Sequence, residues 1–256
     1  IPTIPNVPNE LLFLTGGGST YSGVAATGYP ETHLFGGNRT DRFRMQNTAT
    51  NLLLRFNLPS DKTADFLYLG NADTLRNNGA TRVTLKWNNL GIYGSATTAL
   101  DITPLSSETL RGPGGQDIIR TFTETDPATK WWVNIEGVST TFYPFSKLFF
   151  GKYFDIGRDP DEDGGFTAVR LRPTGARRLS AYRFDVKWSG VTYAKTVEFY
   201  QAFVKTRRYQ PLVLFTTTYH DLMFGHRVIY CRMTSATVPP RVTGANDVTA
   251  TFEEVI

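Results

Sequence analysis

Short runs of alternating apolar and polar residues, each closed by Gly, Pro, Asn or Asp, recur along most of this chain. Thr81-Arg82-Val83-Thr84-Leu85-Lys86-Trp87 alternates strictly, so one face of the segment is buried and the other wet. Asn51 to Leu58, Asp65 to Asn71, Ile118 to Thr123, Lys130 to Ile135 and Lys147 to Gly151 continue the series. Tyr182 to Trp188, Leu212 to Phe215, Val228 to Met233 and Asp247 to Phe252 repeat it later. Turn residues return about every ten positions, the pattern of an all-β protein. The 23 glycines and 14 prolines are spread through the chain among abundant Thr, Val, Phe and Tyr, which favours many short strands.

One segment breaks the rule. From Thr192 the apolar residues Tyr193, Val197, Tyr200 and Val204 step by four, three and four, with Ala194, Phe199 and Phe203 in the neighbouring column. That spacing makes one wide apolar stripe on a helix, with Lys195, Glu198, Gln201 and Lys205 mostly opposite. Ser189-Gly190 interrupts the strand before it, and Thr192 is placed to cap the first turn with its hydroxyl. Arg207 and Arg208 suit the dipole at the far end, and Pro211 blocks continuation. The expected fold is therefore all-β with a single helix over about 192–207.

Two resemblances follow from particular residues. Phe184 to Trp188, the helix through Phe199 to Arg208, Arg208-Tyr209-Gln210-Pro211-Leu212-Val213-Leu214 and Val248 to Glu254 resemble the tail-tube-like domain of tailed-phage tail-tip proteins. Ala49-Thr50-Asn51, Leu67 to Ala72, Trp131-Trp132 and Ser146 to Gly151 resemble a discoidin-type, galactose-binding-like jelly roll over residues 40 to 160. Together they imply an extended Pro-rich arm at 1–19, a jelly-roll β-sandwich at 20–172 and a tail-tube-like β-sandwich or barrel at 173–256. The polar stretch from Gly157 to Gly175 is the expected hinge.

Composition narrows the function classes. A 40% hydrophobic and 13% aromatic content is that of a globular chain, ample for a core. No apolar run approaches the ~20 residues that cross a bilayer, so no membrane insertion is expected. The start, Ile-Pro-Thr-Ile-Pro-Asn-Val-Pro, has neither the charged nor the leucine-rich region of a signal peptide. Prolines 2, 5 and 8 exclude a helix there and a central strand, leaving a loose tail or an arm lying on a neighbouring subunit. Residues 1–172 carry 16 basic and 17 acidic side chains, whereas 173–256 carry 11 and 6. The basic excess is scattered (Arg177, Arg178, Arg207, Arg208, Arg227, Arg232, Arg241), so a subunit-facing or solvated surface is expected rather than a nucleic-acid site. Cys231, alone between Tyr230 and Arg232, is expected to be a buried structural thiol.

Candidate chemistry is sparse. Asp159, Asp161 and Asp163 stand two apart before Gly164, the first half of a calcium loop, so Ca2+ is the one cofactor with a pattern behind it. The second half fails: position twelve would be Arg170 where a bidentate Glu is needed, and a solvated loop is the competing reading. His33, His220 and His226 have no metal spacing, no Gly-x-Ser-x-Gly elbow exists, and Cys231 has no evident base. Gly16-Gly17-Gly18-Ser19 lacks the Lys of a phosphate loop. Trp131 and Trp132 are adjacent in a strand and face opposite sides, one expected in the core and one on the surface. Trp87 and Trp188 are expected in the core.

No enzyme is expected. The tail-tip resemblance implies a virion structural protein, assembled in the host cytoplasm, whose C-terminal domain forms a homo-oligomeric ring among other tail proteins. DNA would then only pass through the lumen. The alternative is an adhesin whose jelly-roll loops contact a host-surface glycan.

Overall fold

The computed structural model describes residues 3–5, 10–15, 19–20, 51–110, 116–137, 147–157, 161, 166–171, 181–201, 211–215, 228–237 and 244–254. The chain divides into two compact units, one spanning residues 5–152 and the other 153–256 with residues 1–4. The division falls at 152/153, earlier than the expected 172/173, because the strand at Phe166–Leu171 hydrogen-bonds to the strand at Ala181–Thr192.

In chain order the first elements are β1 (Thr3–Pro5), β2 (Glu10–Thr15), β3 (Ser19–Thr20), β4 (Asn51–Lys62) and β5 (Phe66–Gly70). Then come α1 (Ala72–Asn77), β6 (Arg82–Asn88), β7 (Thr97–Ile102), β8 (Ile118–Thr121), β9 (Ala128–Glu136) and β10 (Lys147–Tyr153). The larger sheet orders its strands β3-β2-β4-β9-β6-β7, and the smaller one sets β10, β5 and β8 side by side. The pairings within these sheets are antiparallel, and the first unit is a jelly-roll β-sandwich.

Alternation decides which residues fill it. Leu52, Leu54, Phe56 and Leu58 of β4 point inward, as do Val83 and Leu85 of β6 and Trp131, Val133 and Ile135 of β9. They meet Leu67, Leu69, Leu148 and Phe150 of the smaller sheet, with the Trp131 and Phe150 rings 5.0 Å apart. All five residues of β5 are buried, so this strand is covered on both faces. Tyr68 stacks on Phe149 at 6.0 Å, and its hydroxyl donates to the buried Asp117 at 2.9 Å.

Glu10–Thr15, expected inside an extended arm, is strand β2 and pairs along β4 from Glu10↔Asn57 to Leu14↔Leu53. The prolines at 2, 5 and 8 precede it, so none interrupts its ladder. The single-helix expectation also needs correction, since α1 follows β5 directly. Asn71 takes a left-handed conformation (φ 54°) to start it, and its N–H donates to Asp117 at 2.9 Å.

The second unit holds β11 (Phe166–Leu171), β12 (Ala181–Thr192), α2 (Tyr193–Phe199), β13 (Pro211–Phe215), β14 (Val228–Thr237) and β15 (Ala245–Glu254). Its sheet is ordered β11-β12-β15-β14-β13. Phe184, Val186, Trp188, Val248, Ala250, Phe252, Met233 and Cys231 share one core with Phe154, Ile156 and Phe199. Cys231 is buried, as expected.

Thr192 caps α2 as expected, its side chain accepting from the Lys195 N–H at 3.4 Å. Tyr200 and Gln201 prolong the helix as a π turn, and positions 202–207 lie outside the described residues. The buried column is Thr196 and Phe199, whereas Tyr193 and Tyr200 are 42% and 46% exposed. The structure thus turns the tyrosine side of the expected stripe outward. The two apolar columns overlap in period, and a tyrosine loses less by facing water than Phe199 would.

Candidate functional site

Asp161 is the one member of the acidic trio among the described residues; Asp159 and Asp163 lie outside them, as do His33, His220 and His226. Its oxygens accept from the Ser189 N–H at 2.8 Å and the Ser189 hydroxyl at 2.6 Å, with Lys187 Nζ at 3.6 Å. Ser189 sits where the β12–β15 register shifts between Trp188 and Val191, so Asp161 supplies an acceptor where the ladder is interrupted. Burial raises the Asp161 pKa, but the Ser189 hydrogen bonds and Lys187 outweigh it and hold the carboxyl below its ordinary value. Among the described residues no group of three or more His, Cys, Asp or Glu is placed to hold a metal. No helix among them is long and apolar enough to cross a membrane.

The outer face of the larger sheet offers more. Inward residues of β4, β9 and β6 are taken by the core, so their alternates face the other way. Trp132 is one of these, on the opposite face from Trp131 as its strand position requires. It is nonetheless 1% exposed, covered in part by Tyr93 and Ala96, so it is not the surface tryptophan expected. Trp188 is in the core of the second unit as expected, whereas Trp87 is only half-buried, against the core of the first unit.

Residues 89–96, which join β6 to β7, make the cover. Asn88 Oδ1 accepts from the Gly91 N–H at 2.9 Å, and its Nδ2 donates to the Ile92 carbonyl at 2.8 Å. Asn89 Oδ1 accepts from the Thr129 N–H at 2.9 Å, and its Nδ2 donates to the Pro127 carbonyl at 3.3 Å. Gly91 has φ +76°, and a Cβ there would stand 3.1 Å from the Arg55 guanidinium. Two asparagines thus pin the segment from both sides. What it presents to solvent is apolar: Leu90 is 75% and Ile92 59% exposed.

Beneath it the Tyr93 and Trp132 rings meet edge-on at 6.2 Å. Lys86 Nζ lies 4.7 Å over Tyr93, and the Arg55 guanidinium lies 5.9 Å from the Trp132 ring centre. Burial holds the Tyr93 phenol above its ordinary pKa against the pull of the Thr84 and Asn134 side chains, so it is neutral near pH 7. The Trp132 indole N–H is buried and has no hydrogen-bond partner among the described residues. None of this was visible in the sequence, because the strands that carry Arg55, Lys86 and Trp132 are far apart along the chain.

No protein family's sequence profile matches the chain, and no curated protein does. The solved structures that align with part of the chain include carbohydrate-binding modules and glycoside hydrolases. CBM32-1 from a family 31 glycoside hydrolase of Clostridium perfringens is 12% identical with a TM-score of 0.40, covering 57% of this chain and 97% of its own. Chitosan-binding module 1 from a chitosanase/glucanase of Paenibacillus sp. IK-5 is 17% identical at a TM-score of 0.39, covering 57% and 97%. The CBM32 of AlyQ, solved with 4,5-unsaturated mannuronic acid, is 14% identical at 0.39, covering 59% and 99%. None of the three is a phage tail protein. A likeness of this degree does not transfer a ligand.

Proposed function

We propose that the first unit is a non-catalytic glycan-binding module and that residues 88–96, with the sheet face beneath them, form its site. The observation that carries this is the pinned loop presenting Leu90 and Ile92 beside the amides of Asn88 and Asn89 and the guanidinium of Arg55. A sugar ring has apolar C–H faces and a rim of hydroxyls, and such a ligand suits apolar side chains flanked by a few fixed polar groups. A loop held by six asparagine hydrogen bonds loses little freedom on binding.

An oligosaccharide array probed with the full chain tests the reading. Binding is expected to some glycan, and Leu90→Ser/Ile92→Ser is expected to weaken it about tenfold through lost apolar contact. An array on which no glycan is retained, with the protein folded, would end it.

A second reading concerns the other unit. The outward Tyr193 and Tyr200 and the exposed Val169 on the edge strand β11 are the features favouring assembly, including the ring formation the tail-tip resemblance implies. Mass photometry of the full chain distinguishes it: rings support it, and a monomer at every concentration speaks against self-assembly.

A further inference from the structure

Across three neighbouring strands, one register row reads Arg55 on β4, Trp132 on β9 and Lys86 on β6. The adjoining row reads Asn57, Lys130 and Asn88, the last being the residue that anchors the loop at 89–96. All six alternate with core residues and so share the outer face. Three cations therefore stand within two adjacent rows.

Among the described residues none of the three is in an ion pair; Arg55 donates from its Nε to the Asn57 amide oxygen at 3.2 Å and lies against the Trp132 ring. Two of the acids along these strands lie on the other side of the Trp132 row. Asp101 is opposite Thr84 and Glu136 opposite Arg82, and both are held by Arg82, at 2.6 and 3.7 Å. Glu10 occupies the β2 position next to Asn57, two strands from Lys130. Arg82 thus meets both Asp101 and Glu136, and the two rows nearer the loop carry three cations, Arg55, Lys86 and Lys130, to one acid, Glu10.

We infer that this face binds an acidic glycan, a chain carrying a carboxylate or sulfate on successive sugars. Arg55, Lys86 and Lys130 meet the anionic groups, and Leu90 and Ile92 meet the apolar ring faces. The inference rests on the glycan-binding reading above and narrows it to one charge class. Adjacent strands lie about 4.8 Å apart, so Arg55 and Lys86 leave the backbone roughly 10 Å from each other. One small anion meets a single cation at that spacing, whereas a chain with repeated charges meets several. Single-stranded nucleic acid is the weaker match, because its bases need exposed aromatic platforms. Here Trp132 is buried, and the exposed groups are aliphatic.

The test is titration of the full chain with polygalacturonate, chondroitin sulfate, uncharged galactan, uncharged arabinoxylan and a single-stranded DNA oligonucleotide. An acidic glycan is expected to bind, and more weakly as salt rises and shortens the screening length. Lys86→Gln and Lys130→Gln are each expected to weaken it about tenfold, while Lys86→Arg and Lys130→Arg retain it. Arg55→Gln is read alongside a thermal melt, because Arg55 also packs against Trp132. Equal or tighter binding of galactan or arabinoxylan overturns the inference and leaves the glycan-binding reading standing. Acidic-glycan binding that ignores all three Gln variants overturns it as well. DNA binding that polygalacturonate fails to compete replaces the glycan, and loss of every glycan fells both readings.

Discussion

Asp117 is fully buried and accepts from the Tyr68 hydroxyl and the Asn71 N–H, so a single carboxylate serves β5 and the entry to α1. Asp117→Ala leaves two buried donors without this acceptor, at a cost of about 1–3 kcal/mol for each. Urea unfolding of the first unit is expected to show a loss of that order, and a loss below about 0.5 kcal/mol would sink the assignment. At Asp161 the folded carboxyl is held below its ordinary value of 3.8, so its contribution to stability is complete above that pH. It is lost as pH falls through the lowered value, when the proton displaces the Ser189 and Lys187 contacts. Asp161→Asn is expected to flatten the acid limb of the second unit's stability curve, and an identical limb in the two proteins would contradict this.

At the scale of elements, two glycines separate conformational strain from crowding. Gly137 follows β9 at φ +80°, and a Cβ there would lie 2.7 Å from Thr81 Oγ1 and 3.0 Å from the Gly79 carbonyl oxygen. Gly91 has a similar φ of +76°, but its nearest neighbour is the movable end of Arg55. Both Ala variants meet the left-handed penalty of about 1–2 kcal/mol, and only Gly137→Ala adds a clash that includes backbone. Gly137→Ala is expected to lower the unfolding midpoint more than Gly91→Ala, and the reverse order would refute this. Gly91→Ala is expected to shift Arg55, and glycan affinity with it. Elements also show where reading the sequence stopped. The alternating segments from Asn51 to Phe252 are strands because a two-residue period is a local property. The helix α1 has six residues, too few to display a period, and β11 lies in a stretch whose Gly and Asp content reads as a hinge. The orientation of α2 was decided by competition between two apolar columns for one core, which periodicity alone does not resolve.

For the whole molecule, the division into units means that residues 5–153, which complete β10, carry their own core. That fragment is expected to unfold cooperatively in urea with a strand-rich circular dichroism spectrum, and a broad non-cooperative transition would contradict it. It is also expected to keep the glycan binding of the full chain. The alternation of apolar and turn residues by itself determined the all-β class, the positions of β4 to β6, β8 to β10 and β12 to β15, the capped helix and the buried Cys231, because each depends on neighbours a few residues apart. Only the tertiary structure decided that Glu10–Thr15 joins the sheet, that Trp132 is covered, and that Arg55, Trp132 and Lys86 share one row. Strand register joins residues 77 and 46 positions apart in that row, and such pairings are set by packing two sheets together rather than by any local pattern.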